Sequence, residues 1–190
     1  MADKIRVAVI GVGYLGRFHA LIYSRLPNVE LVGVVDTDLE RARQVAQEAG
    51  CAPFDGLDGI ADQVDAVSVV VPTTAHLAVA EPLLGRGIHM LLEKPIAATW
   101  EEGKRIVDLA ERGGAILQIG HLERFNAGVM ALAEHIDRPR FVETQRMGEF
   151  VERATDVDVV SDLMIHDIDI ILSLVASELK SVSAVGTPVL

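Results

Sequence analysis

Along the first 120 residues, runs of apolar positions alternate with segments of helical spacing. Ile5 to Ile10 is a short β-branched run, continuous enough to be a strand buried on both faces. Residues 14–26 then take helical spacing until Pro27 stops them. Glu30 to Val35 predicts a second buried strand. Asp38 to Ala49 predicts a polar-rich helix, with Gly50 at its end as a C′ glycine. Ala52 to Phe54 is a brief third strand, and Asp65 to Val71 a fourth that Pro72 cuts off. A helix over 75–84 precedes Gly85 and Gly87. Ile88 to Leu92 is a fifth strand running into Glu93-Lys94-Pro95. Thr99 caps a long helix to about Arg112, and Ala115 to Ile119 is a sixth strand.

Six short apolar strands with helices between them predict a doubly wound α/β fold with a parallel sheet. Right-handed crossovers then place the C-terminal ends of all the strands along one edge, where ligands bind. After Gly120 the pattern changes. Residues 127–136 read as a short helix, Arg140 to Met147 as an extended strand, and 149–160 as an acidic loop. Ser161 to Ala176 reads as a strongly apolar, buried helix with Ser161 as its N-cap. Lys180 to Val189 reads as another strand. Two strands and a helix leave an open sheet edge and an uncovered apolar face. The expected organisation is therefore a dinucleotide-binding domain over 1–120 and an incomplete, truncated α+β second domain over 121–190.

Composition narrows the function classes. Apolar residues are 50% and charged residues 24% of the 190, as in an ordinary globular chain. The net charge of −11 repels phosphodiester backbones and anionic lipid, so neither nucleic acid nor a membrane surface is an expected partner. Cys51 is the only cysteine, which excludes an internal disulfide and fits a reducing cytoplasmic setting. The N-terminal apolar run is short and charged in front, unlike a signal peptide. No apolar stretch approaches the length of a membrane span. The histidines and acids fall into no metal-ligand spacing.

Gly11-Val12-Gly13-Tyr14-Leu15-Gly16 is a GxGxxG between a strand and a helix. Gly11 permits the tight turn, Gly13 lets the backbone approach a pyrophosphate, and Gly16 lets helix and strand pack closely. The backbone of this turn, Tyr14 and Leu15 included, presents a helix N-terminus to phosphate. Asp36 lies 20 residues beyond Gly16, at the end of the second strand. A carboxylate there accepts hydrogen bonds from an adenosine ribose diol and repels a 2′-phosphate, which favours NAD over NADP.

Later strand ends supply further cofactor-side candidates. Pro72, Thr73 and His76 follow the fourth strand, although Thr73 and His76 read equally well as helix-cap residues. Glu93 and Lys94 follow the fifth strand. An ammonium there can hold a substrate hydroxyl and stabilise negative charge developing on oxygen. His121 follows the sixth strand and faces the nicotinamide end. Arg124 and Asn126 are candidates for holding sugar or phosphate oxygens. Asp162 and His166 are four apart and share a helix face. A carboxylate one turn away favours imidazolium, so the His166 pKa is expected to rise. His19, His89 and His135 belong to no constellation and read as structural or exposed.

Gly11 to Gly16, Glu93-Lys94-Pro95 and Asp162–His166 together resemble the Gfo/Idh/MocA oxidoreductase family over the whole chain. The resemblance implies a Rossmann domain followed by a larger mixed-sheet domain, and a homo-oligomer when full length. It implies NAD as cofactor, Lys94 between nicotinamide and substrate, His166 as catalytic base and Asp162 as its polar partner. Met164 stands where many members have glycine. Gly120 to Asn126 resembles the stretch of members that act on nucleotide-linked sugars, UDP-N-acetylglucosamine 3-dehydrogenases being the nearest, with Ala127 in place of their proline. The expected activity is NAD-dependent oxidation of a secondary hydroxyl on a sugar or nucleotide-sugar. The residues leave open an NADH-dependent reductase of a keto-sugar or imine, a non-catalytic NAD sensor, and a structural partner of a larger assembly.

Overall fold

The computed structural model describes residues 4–147 and 158–187. Six strands form one fully parallel sheet: β1 (Ile5–Ile10), β2 (Val29–Val35), β3 (Ala52–Phe54), β4 (Ala66–Val69), β5 (His89–Leu92) and β6 (Leu117–Ile119). The strand order is β3-β2-β1-β4-β5-β6, so the chain reverses its direction of travel between β1 and β4. That reversal opens a crevice at the strands' C-terminal ends. The register carries one irregularity, between Val7 and Ala8 where β1 meets β2.

Period-two alternation in strands buried on both faces explains the two cores. Val9 and Val34 point to the side covered by α1 (Tyr14–Tyr23) and α2 (Leu39–Ala49), where they meet Val12, Ala20, Ala42, Val45 and Ala46. Ala8, Ile10, Val67 and Val69 point the other way. There they join Leu83 and Leu84 of α4 (His76–Leu84) and Ile106 and Ala110 of α5 (Trp100–Gly113). Local chemistry sets the helix ends as expected. Asp38 accepts from Glu40 and Arg41 N–H groups and Thr99 from Glu102, while Gly50 and Gly114 close α2 and α5 in the left-handed conformation. A one-turn helix, α3 (Asp58–Ala61), lies between β3 and β4.

Beyond β6 come a 3₁₀ turn (Leu122–Phe125), α6 (Ala127–Ala133), and a helix that opens with a π-helical turn at Val160–Met164 before α7 (Ile165–Leu174). Four expectations fail here. Residues 140–147 and 180–187 form no strand: among the described residues neither pairs with another backbone in a ladder, and both runs stay largely exposed. Residues 149–157 of the expected acidic loop, and the last residues of the second expected strand, lie outside the described residues. Asp158, not Ser161, caps the late helix, its carboxylate accepting the Ser161 N–H at 2.8 Å. That helix is also not enclosed: Val160, Met164, Ile168 and Leu172 form an outward stripe, and Asp169 is its only buried residue. Among the described residues no helix is long and apolar enough to cross a membrane.

Candidate active site

The glycine turn is built as its spacing requires. Gly11 has φ +81°, and a Cβ there would stand 2.3 Å from Val70 O. A Cβ on Gly16 would stand 1.8 Å from Gly11 O, so only glycine lets α1 begin this close to β1. Above Gly13 the space is open, with no atom within 4 Å of where a Cβ would be. Tyr14 and Leu15 project outward at the start of α1, with Tyr14 edge-on to Phe18. Asp36 is buried. Its Oδ2 accepts the Val12 N–H at 2.8 Å and its Oδ1 the Asp38 N–H at 2.9 Å, so the carboxylate is pre-set beside the turn. A carboxylate has about four lone-pair directions, which leaves acceptor capacity for ribose hydroxyls. The open cradle at Gly13 and the fixed acceptor at Asp36 fit a dinucleotide.

At the next strand end, Pro72 is exposed and Thr73 is buried in a 3₁₀ turn. His76 does not line the crevice as expected. It is buried, with Nε2 3.1 Å from Val71 O and Nδ1 3.2 Å from Ile96 O. Whichever nitrogen carries the proton donates to one of these carbonyls, so the ring is held between the loop after β4 and the loop after β5.

Lys94 follows β5 in the Glu93-Lys94-Pro95 turn, whose Lys94–Pro95 bond is cis. Its Nζ donates to both the carbonyl and Oδ1 of Asp162, each at 2.9 Å. The π-helical turn places these two acceptors. Ile165 N–H donates five residues back, to Val160 O, which widens the helix where Lys94 meets it. His166 stands one turn further along. Asp162 therefore holds Lys94 instead of orienting His166, since the ammonium is the stronger partner for a half-buried carboxylate. The expected rise in the His166 pKa is also reversed. Burial, then the Lys94 and Arg146 cations, push it below the ordinary imidazole value, with His121 adding to the effect and Glu123 opposing it.

His166 Nδ1 and His121 Nδ1 are both buried without a hydrogen-bond partner. Two such nitrogens near one ammonium offer polar contacts to a hydroxylated ligand. Arg124 and Asn126 are engaged elsewhere. Arg124 clasps Asp169 through Nε (3.0 Å) and Nη2, because a buried carboxylate requires a cation. Asn126 Oδ1 caps α6 by accepting the Gly128 N–H at 2.9 Å. These contacts fix the two side chains in place, with Arg124 still half-exposed.

Sequence reasoning overlooked two groups. Arg146 pairs with Asp167 through two 2.9 Å bonds and so enters the field at His166. No local pattern announces it, since it lies 21 residues from its partner. His19 lies against Glu93, 3.5 Å from Oε1, and bonds Ser68 through Nδ1 at 2.7 Å. That pair was legible: Gly16, His19, Ala20 and Tyr23 follow i, i+3, i+4, i+7 spacing, which marks the inward face of α1.

Residues 5–121 match the family model described as "Oxidoreductase family, NAD-binding Rossmann fold". The chain belongs to the Gfo/Idh/MocA oxidoreductase family. It is 42% identical over 183 residues to the UDP-N-acetylglucosamine 3-dehydrogenase of Acidithiobacillus ferrooxidans, covering 96% of this chain and 58% of that protein. It is 31% identical to the scyllo-inositol 2-dehydrogenase (NAD(+)) of Bacillus subtilis, with 98% and 58% covered. The solved structure of the A. ferrooxidans enzyme superposes with a TM-score of 0.87 at 40% identity, covering 97% of this chain and 62% of that one. The chain thus spans under two thirds of the length of these relatives. The doubly wound sheet and its glycine turn are those of an NAD-binding Rossmann domain.

Proposed function

We propose that this Gfo/Idh/MocA chain acts in the NAD-dependent oxidation of a secondary hydroxyl on a nucleotide-sugar, with the 3-hydroxyl of UDP-N-acetylglucosamine as the leading substrate. The observation that carries this reading is the Lys94 ammonium, seated on Asp162 one turn before His166 at the sheet's C-terminal edge. Likeness to the A. ferrooxidans enzyme over nearly the whole chain supports the substrate class.

The glycine turn would hold the pyrophosphate, Asp36 the adenosine ribose, and Pro72, Thr73, Glu93, Lys94 and His121 the nicotinamide side. Bound NAD supplies the two-electron chemistry, accepting hydride from the carbinol carbon. The protein's part is proton handling and charge. His166, its pKa lowered, is neutral at neutral pH and can accept the hydroxyl proton. Lys94 stabilises the negative charge that develops on the same oxygen, and Asp162 fixes the direction of the ammonium.

Residues 121–190 begin the substrate and oligomerisation domain in this reading, and the protein works as a cytoplasmic homo-oligomer without nucleic-acid or membrane partners. The net charge of −11 and the single cysteine support that setting. The deciding experiment follows NADH formation by the full chain with UDP-N-acetylglucosamine and, separately, with myo-inositol. Turnover of the first alone is expected. NAD binding with turnover of neither, across a wider panel of sugars, would instead identify a dinucleotide sensor.

A further inference from the structure

A ring of buried polar groups lies on the α1 side of β4 and β5, where the rest of the core is apolar. Ser68 is fully buried in β4, and the His19 and Glu93 side chains are only 12% and 11% exposed. The Tyr23 ring stands edge-on to the His19 imidazole, with 6.5 Å between centroids. One proton arrangement links these groups. The Ser68 hydroxyl donates to His19 Nδ1, and His19 Nε2–H then faces Glu93 Oε1. Glu93 Oε2 in turn accepts the backbone N–H of Lys94 at 3.3 Å. The Glu93 backbone N–H is itself fixed to Val69 O at 3.0 Å.

Space for the carboxylate is made by Gly120, where a Cβ would stand 2.8 Å from Glu93 Oε1. Burial raises the Glu93 pKa and lowers that of His19, so both groups are held at a desolvation cost. Apolar residues of similar volume fill such a position at less cost. The ring has a geometric consequence instead: its last hydrogen bond ends on the residue whose ammonium meets Asp162.

We propose that His19, Ser68 and Glu93 form a positioning device for Lys94. The imidazole, oriented by the Ser68 hydroxyl, holds the Glu93 carboxylate. The carboxylate anchors the Lys94 backbone, and the ammonium is thereby aimed at Asp162 and the reacting oxygen. The catalytic consequence rests on the oxidoreductase reading above; the mechanical one does not.

The test uses the full chain with His19→Asn, His19→Gln and Ser68→Ala. Glutamine can keep a donor where Nε2 stands, whereas asparagine reaches only the Nδ1 side. With UDP-N-acetylglucosamine, His19→Asn is expected to lower kcat by about 10–100-fold while NAD affinity holds, as a misplacement of about 1 Å at a reacting centre does. His19→Gln restores most of the loss, and Ser68→Ala falls between. A second readout needs no turnover: the rate at which an amine-reactive ester labels Lys94 Nζ, mapped by peptide mass. His19→Asn and Ser68→Ala raise that rate severalfold over the parent chain, and His19→Gln does not. Folded variants whose Lys94 labels at the parent rate overturn the device. If His19→Asn does not fold, Ser68→Ala, a small change inside β4, decides alone. A labelling shift in a chain that oxidises no sugar keeps the device and removes the substrate reading.

Discussion

The sheet domain and the segment after Gly120 are held by different forces. In the first, burial is overwhelmingly apolar, with two cores on the faces of one parallel sheet. In the second, Asp169 is the only buried residue among those described, and it is charged. The late helix meets the rest of the described protein through three carboxylates, each paired with a cation from another segment: Asp162 with Lys94, Asp167 with Arg146 and Asp169 with Arg124. An apolar core is insensitive to direction, but an ion pair fixes it. Of the three pairs only Lys94–Asp162 crosses between the two regions, and it is the one that sets the ammonium against the helix carrying the imidazole; the other two hold that helix within the later segment.

The largest expected effect breaks that junction at the chemistry. Lys94→Ala or His166→Ala in the full chain should lower kcat/KM by about 10²–10⁴-fold, the range for losing a positioned acid–base or electrostatic group. NAD titration should show the cofactor still bound, because the glycine turn and Asp36 lie wholly within the sheet domain. Near-normal turnover in either variant would remove the assigned roles.

Gly16→Ala attacks the other side of the comparison. The added methyl meets the Gly11 backbone, which cannot move without disturbing the turn. We expect a loss of about 1–3 kcal/mol in unfolding free energy, as overpacking typically costs. NAD binding should weaken in the same variant, while the contacts of the late helix are untouched. Chemical denaturation and NAD titration read the two parts separately.

Much of the sheet domain was legible because its signals are local. Period-two burial, Asp38 and Thr99 as caps, and glycines at helix ends each act within a few residues, and the strands fell close to where the pattern put them. The later segment was not, because its structure rests on distant partners. An extended run at 140–147 is a strand only if another backbone lies beside it. The helix expected over Ser161 to Ala176 looked apolar enough to be enclosed, yet its buried position is the acid Asp169, which Arg124 reaches from 45 residues away. The candidate site divides similarly. Lys94 and the Asp162–His166 spacing could be read from the chain. That Asp162 serves Lys94 instead of His166 depends on which side chains meet in space.

Asp169→Asn sharpens the comparison at moderate size. It leaves Arg124 without its partner at a half-exposed position, so the cost is nearer the value for surface pairs than for enclosed ones, about 1–2 kcal/mol. Hydrogen exchange should report the loss in α7 and in the 3₁₀ turn carrying Arg124, with protection in β1 and β4 unchanged. Uniform loss across the sheet would mean that the two regions unfold together and are not separately held.

The smallest effect concerns the field at His166. Its lowered pKa means that the neutral base persists to more acidic pH than an ordinary histidine allows. Log kcat/KM should therefore be flat near neutrality and fall only as pH drops through a value below the usual imidazole range. Arg146→Ala removes one of the cations that lowers that pKa and also frees the Asp167 carboxylate beside His166. Both changes favour imidazolium, so the acidic limb should move to higher pH, by up to about one unit. The plateau should change little, because Arg146 pairs with Asp167 and not with Lys94. A limb that stays in place would show that burial and the Lys94 cation set the His166 pKa without Arg146. A limb that moves to lower pH would mean that the base titrating in the profile is not His166.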